Sequence, residues 1–290
     1  MLKYKEIFLG NSPCNNKCLY CSIREKDSSK TDLSSVLSSL KEKSEENIAL
    51  YGGDPTLRSD LFEIIRAARL DGYRRIKLLT NGRAFSDIQS LDQIMKAGCN
   101  LFEITLWGSN PSLHDYLTQT SGSFLGTIRG LENLAGLADD RFVCIRIPVC
   151  KENHADLENC VTTALSFNVN RIILSFQDNS LSFKQVLPHI NNAINISIFN
   201  RIWIQTEGIP FCIMQGMEQH IGEILSGLNT IYERTFQHHN CCIQCIYKDL
   251  CPGIEVRYVE HFGDKEFSPV LANRYSQDIK ALYVINVPRS

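Results

Sequence analysis

Short apolar runs alternate with amphipathic stretches through the first 200 residues, and nothing else in the chain constrains its fold so tightly. The spacing predicts strands at Glu6–Leu9, Ile48–Tyr51, Arg75–Thr80, Leu101–Leu106, Phe142–Pro148 and Arg171–Phe176. Between them it predicts helices at Leu33–Lys43, Asp60–Leu70, Ser86–Ala97, Phe124–Leu137, His154–Phe167 and Leu181–Ile196, the last kinked or split at Pro188. Boundary signals agree: Thr31-Asp32 precedes the first helix, Gly72 and Gly98 follow the second and third, and Ser123 is the expected N-cap of the fourth. Short strands alternating with helices of about three turns imply βαβ units and parallel pairing. Six such units fall short of an eight-unit barrel. The expected fold class is therefore α/β, a partial (β/α)6 TIM-like barrel over residues 1–200. A loop-rich, cysteine-rich extension over residues 201–290 follows, with a strand at Arg201–Glu207 and a helix at Glu218–Leu228.

The first βα loop carries Cys14-Asn15-Asn16-Lys17-Cys18-Leu19-Tyr20-Cys21, three thiols at C-x3-C-x2-C spacing. Three thiolates can hold three irons of a cubane [4Fe-4S] cluster, leaving the fourth iron open, because no fourth thiol follows until Cys99. The loop lies at the C-terminal end of a parallel strand, the rim where such sheets place their sites. Along the same rim come Gly52-Gly53-Asp54-Pro55-Thr56, then Thr80-Asn81-Gly82, then Thr105 before Trp107-Gly108. Glycine and proline there give tight turns whose carbonyls can accept from an ammonium group.

Twelve cysteines without a secretory segment argue for metal or redox chemistry in a reducing cytoplasm rather than a disulfide framework. A formal charge of −2 gives no electrostatic footprint for nucleic acid, and no stretch is long and apolar enough for a membrane span. Cys99 and Cys144 lie in apolar segments and are expected in the core; Cys150 and Cys160 have no partner pattern.

The order and placement of these motifs resemble the radical S-adenosylmethionine enzymes, over roughly residues 5–180. The resemblance implies that Cys14, Cys18 and Cys21 hold the cluster and that its open iron chelates S-adenosylmethionine. It implies that Tyr20 lies near the adenine and that Gly52, Gly53, Asp54 and Pro55 bind the methionine amino group, with Asp54 where the commoner form has Glu. Asn81 and Thr105 match positions that contact the methionine or ribose part. The chemistry implied is reductive cleavage to methionine and a 5′-deoxyadenosyl radical, which abstracts hydrogen from a substrate. No side chain need then serve as acid or base, and none is assigned.

Near the C-terminus, Cys242-x2-Cys245-x5-Cys251-Pro252-Gly253 resembles the auxiliary-cluster tails of that superfamily, the SPASM and shorter twitch types, and one cluster fits the twitch type better. Cys212 is the expected fourth ligand of a second [4Fe-4S] cluster, and Cys241 competes with Cys242 for a place in it. A structural zinc site is the rival, since C-x2-C is also a zinc spacing and His238, His239 and His261 are near in sequence. Arg146 either reaches a carboxylate from the rim or makes an outward salt bridge, while Trp107 and Tyr116 are expected to pack.

Three functions stay open. The first is a radical oxidoreductase or maturase acting on a peptide or small molecule, fed by an external reductant such as flavodoxin or ferredoxin. Only 13 residues precede Cys14, so a peptide substrate would call for a separate peptide-binding protein. The second is a nucleoside- or cofactor-directed radical enzyme like the one that begins molybdenum cofactor synthesis, weakened by a C-terminus, Val287–Ser290, without paired glycines. The third is an iron–sulfur electron carrier without substrate chemistry.

Overall fold

The computed structural model describes residues 3–11, 13–21, 23–24, 31–137, 141–176, 180–223 and 235–272. Seven strands, β1 (Lys5–Phe8), β2 (Asn47–Tyr51), β3 (Arg75–Thr80), β4 (Leu101–Thr105), β5 (Phe142–Val149), β6 (Arg171–Phe176) and β7 (Trp203–Glu207), follow one another in chain order in the sheet. Neighbours pair in parallel from β1 to β5 and again between β6 and β7. The expected α/β, βα-alternating architecture is present, and Trp203–Glu207 adds a seventh strand to the six read as barrel units. Helices α1 (Leu33–Lys41), α2 (Leu61–Leu70), α3 (Ile88–Ala97), α4 (Pro111–Thr118), α5 (Ser123–Ala135), α6 (Leu157–Leu165) and α7 (Phe183–Phe199) occupy the connections, and α8 (Val256–Phe262) lies in the tail.

The chain divides into two compact units, residues 2–146 with 163–170, and residues 147–162 with 171–290. In the first, β2 reads Asn-Ile-Ala-Leu-Tyr with every residue buried, as a parallel strand covered on both faces must. Helix α2 buries Leu61, Ile64, Ile65 and Ala68, one stripe at helical spacing. Asp32 and Asp87 cap α1 and α3 by accepting from Ser35 N and Gln89 N. Cys99 and Cys144 are buried, as their apolar settings predict.

In the second unit α7 runs unbroken through Pro188. A proline inside a helix costs about 3 kcal/mol, whereas each fully buried large apolar side chain returns about 1.5–3 kcal/mol. Phe183, Val186, Ile190 and Ile194 are all buried on that helix, so burial wins. A capping box between Ser182 and Gln185 fixes its start. The tail is stapled to this end: Phe183 stacks on Tyr258 at 4.5 Å, and Phe183 N donates to Tyr258 Oη at 2.8 Å.

The structure departs from the sequence reading at three places. Ser123 is not an N-cap; Gly122 takes that position, and Asp115 supplies the cap from outside by accepting from Gly122 N and Phe124 N. Helix α4, with Asn110 as its N-cap, was not read from the sequence at all. Where a helix was expected at Glu218–Leu228, Glu218–His220 form a short turn and Ile221 bridges back to Thr206, while Glu223 is helical; residues 224–228 of that expectation lie outside the described residues.

Candidate active site

The cysteine loop is built into the first unit by backbone contacts. Lys17 N and Leu19 N donate to Thr118 O and Leu117 O, both at 2.9 Å. Those carbonyls belong to the last turn of α4 and have no partner within the helix, so a helix end becomes a dock for the loop. On the other side Gly53 N donates to Gly10 O at 2.6 Å and Asp54 N to Pro13 O at 2.8 Å. The approach is so close that a Cβ at Gly53 would fall 2.4 Å from Asn11 O and one at Gly52 would fall 2.5 Å from Gly10 O. Both glycines are required by that crowding.

Asp54 turns its carboxylate inward, where it is only 2% exposed. It accepts from Thr56 N and Thr56 Oγ1, from Thr80 Oγ1 and from Asn81 N at 2.6–3.1 Å. Its side chain therefore shapes the Gly52–Pro55 loop and locks it to the end of β3. Burial raises its pKa, against the hydrogen bonds that lower it. Asn81 bonds onward, its Nδ2 donating to Asn15 Oδ1 at 2.7 Å. Three rim loops that are far apart in sequence thus form one hydrogen-bonded network around the thiols.

Cys14 and Cys21 are exposed and Cys18 half-buried. Burial, then the charges of Cys14 and Cys21, pushes the Cys18 thiol up to about 12. Burial likewise raises the Cys14 thiol, with Asp54 and Cys21 adding to it, and bound cations would draw out the thiolates that a cluster needs. That donor set fits an iron cluster. Tyr20, the aromatic between the last two thiols, stacks on Trp107 at 6.3 Å and 24°. Below, Trp107 N donates to Nδ1 of His114, whose imidazole burial holds neutral, with a pKa down at about 4. Thr105 sits half-exposed at the end of β4, in register with Arg146. Arg146 is buried and bridges to the neighbouring strand, with Nε 2.5 Å from Glu103 Oε1, and Lys77 holds the other oxygen at 3.1 Å.

Sequence reading missed Arg83. Its Nη1 donates to Asn15 O at 2.5 Å and to Asn16 Oδ1 at 2.8 Å, gripping the turn between the first two thiols. Only its place directly after Thr80-Asn81-Gly82 could have flagged it.

In the second unit Cys212, Cys241, Cys242, Cys245 and Cys251 line one small open cavity, with His238 and Lys248 in its wall. Burial, then the charges of Cys251, Cys242 and Cys245, pushes Cys212 up to about 12, and Ser268 N–H bonds its sulfur. Cys251 receives N–H groups from Phe211 and Gly253. Gly253 has φ +100° and a Cβ there would strike Gln237 O at 2.5 Å, so glycine is obligatory. Cys241 stands apart from this group: besides burial, its ionisation is opposed by Cys242, whose sulfur lies 3.9 Å away, and by Asp264. Among the described residues no three His, Cys, Asp or Glu side chains already meet where a single metal ion could bind. His239 pairs with Gln237 and His261 packs on Phe262, so of the three histidines only His238 lines the cavity.

The family model of the radical SAM superfamily matches residues 12–164, more than half of the chain and the whole of this rim. The chain belongs to the radical SAM superfamily. S-adenosylmethionine and a [4Fe-4S] cluster are accordingly its cofactors. A probable GTP 3′,8-cyclase of Saccharolobus islandicus is 27% identical over 171 residues, 56% of this chain and 53% of that protein. One from Methanopyrus kandleri is 30% identical over 124 residues, 41% and 39% of the two chains. The chain spans about half the length, or less, of these curated relatives. Among solved structures, anSMEcpe with bound AdoMet aligns with a TM-score of 0.57 at 18% identity, covering 83% of this chain and 71% of that one. Streptococcus suis SuiB bound to precursor peptide SuiA aligns at 0.57 and 15%, covering 74% and 52%. These likenesses place the fold as the superfamily's α/β partial barrel. Among the described residues no helix is long and apolar enough to cross a membrane.

Proposed function

We propose that this protein is a radical enzyme that uses S-adenosylmethionine to abstract hydrogen from a peptide or small-molecule substrate, with a second [4Fe-4S] cluster in its tail. The observation that carries the reading is the network joining Asn15, Asp54, Thr80 and Asn81, which binds the three-thiol loop to the two loops that would hold the cofactor. Cys14, Cys18 and Cys21 would hold the catalytic cluster, three thiolates for four irons. When bound and reduced, that cluster supplies an electron to the sulfonium of S-adenosylmethionine, releasing methionine and a 5′-deoxyadenosyl radical.

The chain's own residues bind and orient. Gly52, Gly53 and Pro55 would present backbone to the methionine amino group, with Asp54 as the buried brace that sets their shape. Tyr20, stacked on Trp107, would flank the adenine, and Asn81 and Thr105 would face the methionine and ribose. In the tail Cys212, Cys242, Cys245 and Cys251 would ligate the second cluster, supported by their shared cavity and by N–H donors on two of their sulfurs, an arrangement that tunes such clusters. We read residues 201–290 as the extension that carries it, a flavodoxin or ferredoxin as the reductant, and the cytoplasm as the setting.

The test is 5′-deoxyadenosine release by the anaerobically reconstituted, reduced protein, beside Cys18→Ala. Cys18-dependent product supports the radical reading, and none from protein with both clusters intact favours an electron carrier. Metal analysis of the tail separates iron from zinc. GTP and a candidate precursor peptide are the substrates to try first, since the relatives are named GTP 3′,8-cyclases and SuiB binds its precursor peptide.

A further inference from the structure

Arg83 follows the Thr80-Asn81-Gly82 turn and reaches back across it. Its Nη1 meets both the backbone carbonyl of Asn15 and the side-chain oxygen of Asn16, at 2.5 and 2.8 Å. Those are two of the three residues between Cys14 and Cys18. The guanidinium is itself held: its aliphatic stem lies against Gly126 of α5, where a Cβ would come within 3.3 Å of Arg83 Cγ. One turn on, Gly130 lets the same helix approach the turn so closely that a Cβ would fall 2.2 Å from Gly82 O. Of these two glycines four apart on α5, Gly126 makes room for the arginine stem and Gly130 for the turn that precedes it.

We propose that Arg83 is a positioning residue for the catalytic cluster, fixing the Asn15–Asn16 turn and setting a permanent positive charge beside Cys14. The inference rests on Cys14, Cys18 and Cys21 being the cluster ligands. Its chemistry is direct. A guanidinium remains charged at any working pH, and one planar nitrogen, Nη1, reaches both acceptors. Reduction adds one negative charge to the cluster, so a fixed cation nearby stabilises the reduced form and raises the potential. Lysine keeps the charge and loses the planar group; glutamine keeps a planar NH2 and loses the charge.

The experiment is an EPR-monitored redox titration of the reconstituted full chain, with and without S-adenosylmethionine, for wild type, Arg83→Gln and Arg83→Lys. The signal that changes on adding S-adenosylmethionine identifies the cluster at Cys14, Cys18 and Cys21. Arg83→Gln is expected to lower its reduced-to-oxidised ratio at fixed poise by about tenfold, ~59 mV for one electron, and Arg83→Lys to restore most of it. A wild-type midpoint in Arg83→Gln, or an Arg83→Lys midpoint as low as that of Arg83→Gln, overturns the proposal. If Arg83→Gln takes up no iron, an Arg83→Lys protein that loads with a near wild-type midpoint upholds the proposal, and one that also fails to load overturns it. Absence of any signal responding to S-adenosylmethionine in the wild type would instead defeat the assignment of the cluster ligands.

Discussion

Thr80 Oγ1 lies 2.8 and 2.9 Å from the two oxygens of the Asp54 carboxylate, joining the end of β3 to the glycine loop after β2. The pair is buried, and Asn81 N and the Thr56 backbone and hydroxyl complete the shell around the acid. Asp54→Asn would turn an amide donor toward groups that are already donors. Leaving a buried donor unsatisfied costs about 1–3 kcal/mol; Asp54→Asn does this to several donors, whereas Thr80→Val does it to Gly82 N alone, which donates to Thr80 Oγ1 at 3.1 Å, and should cost less. Urea unfolding of the anaerobic protein checks the order. A Thr80→Val protein as destabilised as Asp54→Asn would show that the hydroxyl, not the acid, is the keystone.

Glycine at 130 lies on a helix and outside every motif of the rim, yet it is one of the tightest positions in the first unit. The obstacle to a methyl there is the backbone oxygen of Gly82, 2.2 Å from the ideal Cβ, and backbone cannot rotate away. Gly130→Ala should cost about 1–3 kcal/mol as overpacking, a Tm drop of roughly 2 to 12 °C. It should also weaken S-adenosylmethionine binding, because the displaced turn carries Asn81. Calorimetry beside an equilibrium binding titration checks both; an unchanged Tm would mean that α5 shifts freely.

The strands and most helices were legible because their apolar periods are strong: β2 is buried at all five positions, and α2 shows one clean stripe. The thiol triad and the rim loops were legible because the chemistry is local in sequence. What escaped depends on partners far along the chain. Asp54 and Thr80 are 26 residues apart, and Arg83 and Asn15 are 68 apart, so neither bond leaves a local signature. Helix α4 is short and polar, with only His114, Leu117 and Thr118 buried, and its role as a dock lies in backbone carbonyls that any sequence would supply. Ser123 looked like a cap because it is a serine before an apolar run; Asp115, eight residues earlier, does that work.

Acid should destabilise the first unit in two steps. Burial holds His114 at about 4 against its ordinary 6.5, so the unfolded chain binds the proton more readily and stability falls as pH drops from about 6.5 to about 4. For Glu103, burial raises the pKa but the charges of Arg146 and Lys77 outweigh it and hold it down at about 2, so its contribution is lost as pH falls from about 4.5 to about 2. Asp54 works the other way: its raised pKa favours the fold below the ordinary carboxylate range and less as pH rises. His114→Gln should flatten the upper step. Glu103→Gln would remove the buried carboxylate that Arg146 and Lys77 share and cost about 3–5 kcal/mol at neutral pH. Stability measured from pH 8 to 3 checks both, and an unaltered upper step in His114→Gln would assign it to another group.

Cys241 and Cys242 differ by one position and share the tail cavity, yet they should not be interchangeable. Cys212 feels Cys251, Cys242 and Cys245, and Cys251 feels Cys245 and Cys242; Cys241 is in neither set. Cys241 instead touches Cys242, where its thiol can donate to that sulfur across 3.9 Å. With Cys212, Cys242, Cys245 and Cys251 as ligands, Cys242→Ala should lose about four irons per chain, one cubane's worth. Cys241→Ala should keep its iron and change the cluster's surroundings alone, since hydrogen bonds to the sulfurs help set such potentials. Iron and sulfide analysis with Mössbauer spectra of the two proteins reads this out. Equal losses in both would mean that the adjacent thiols exchange as ligands, and a loss confined to Cys241→Ala would move the fourth bond one residue back along the chain.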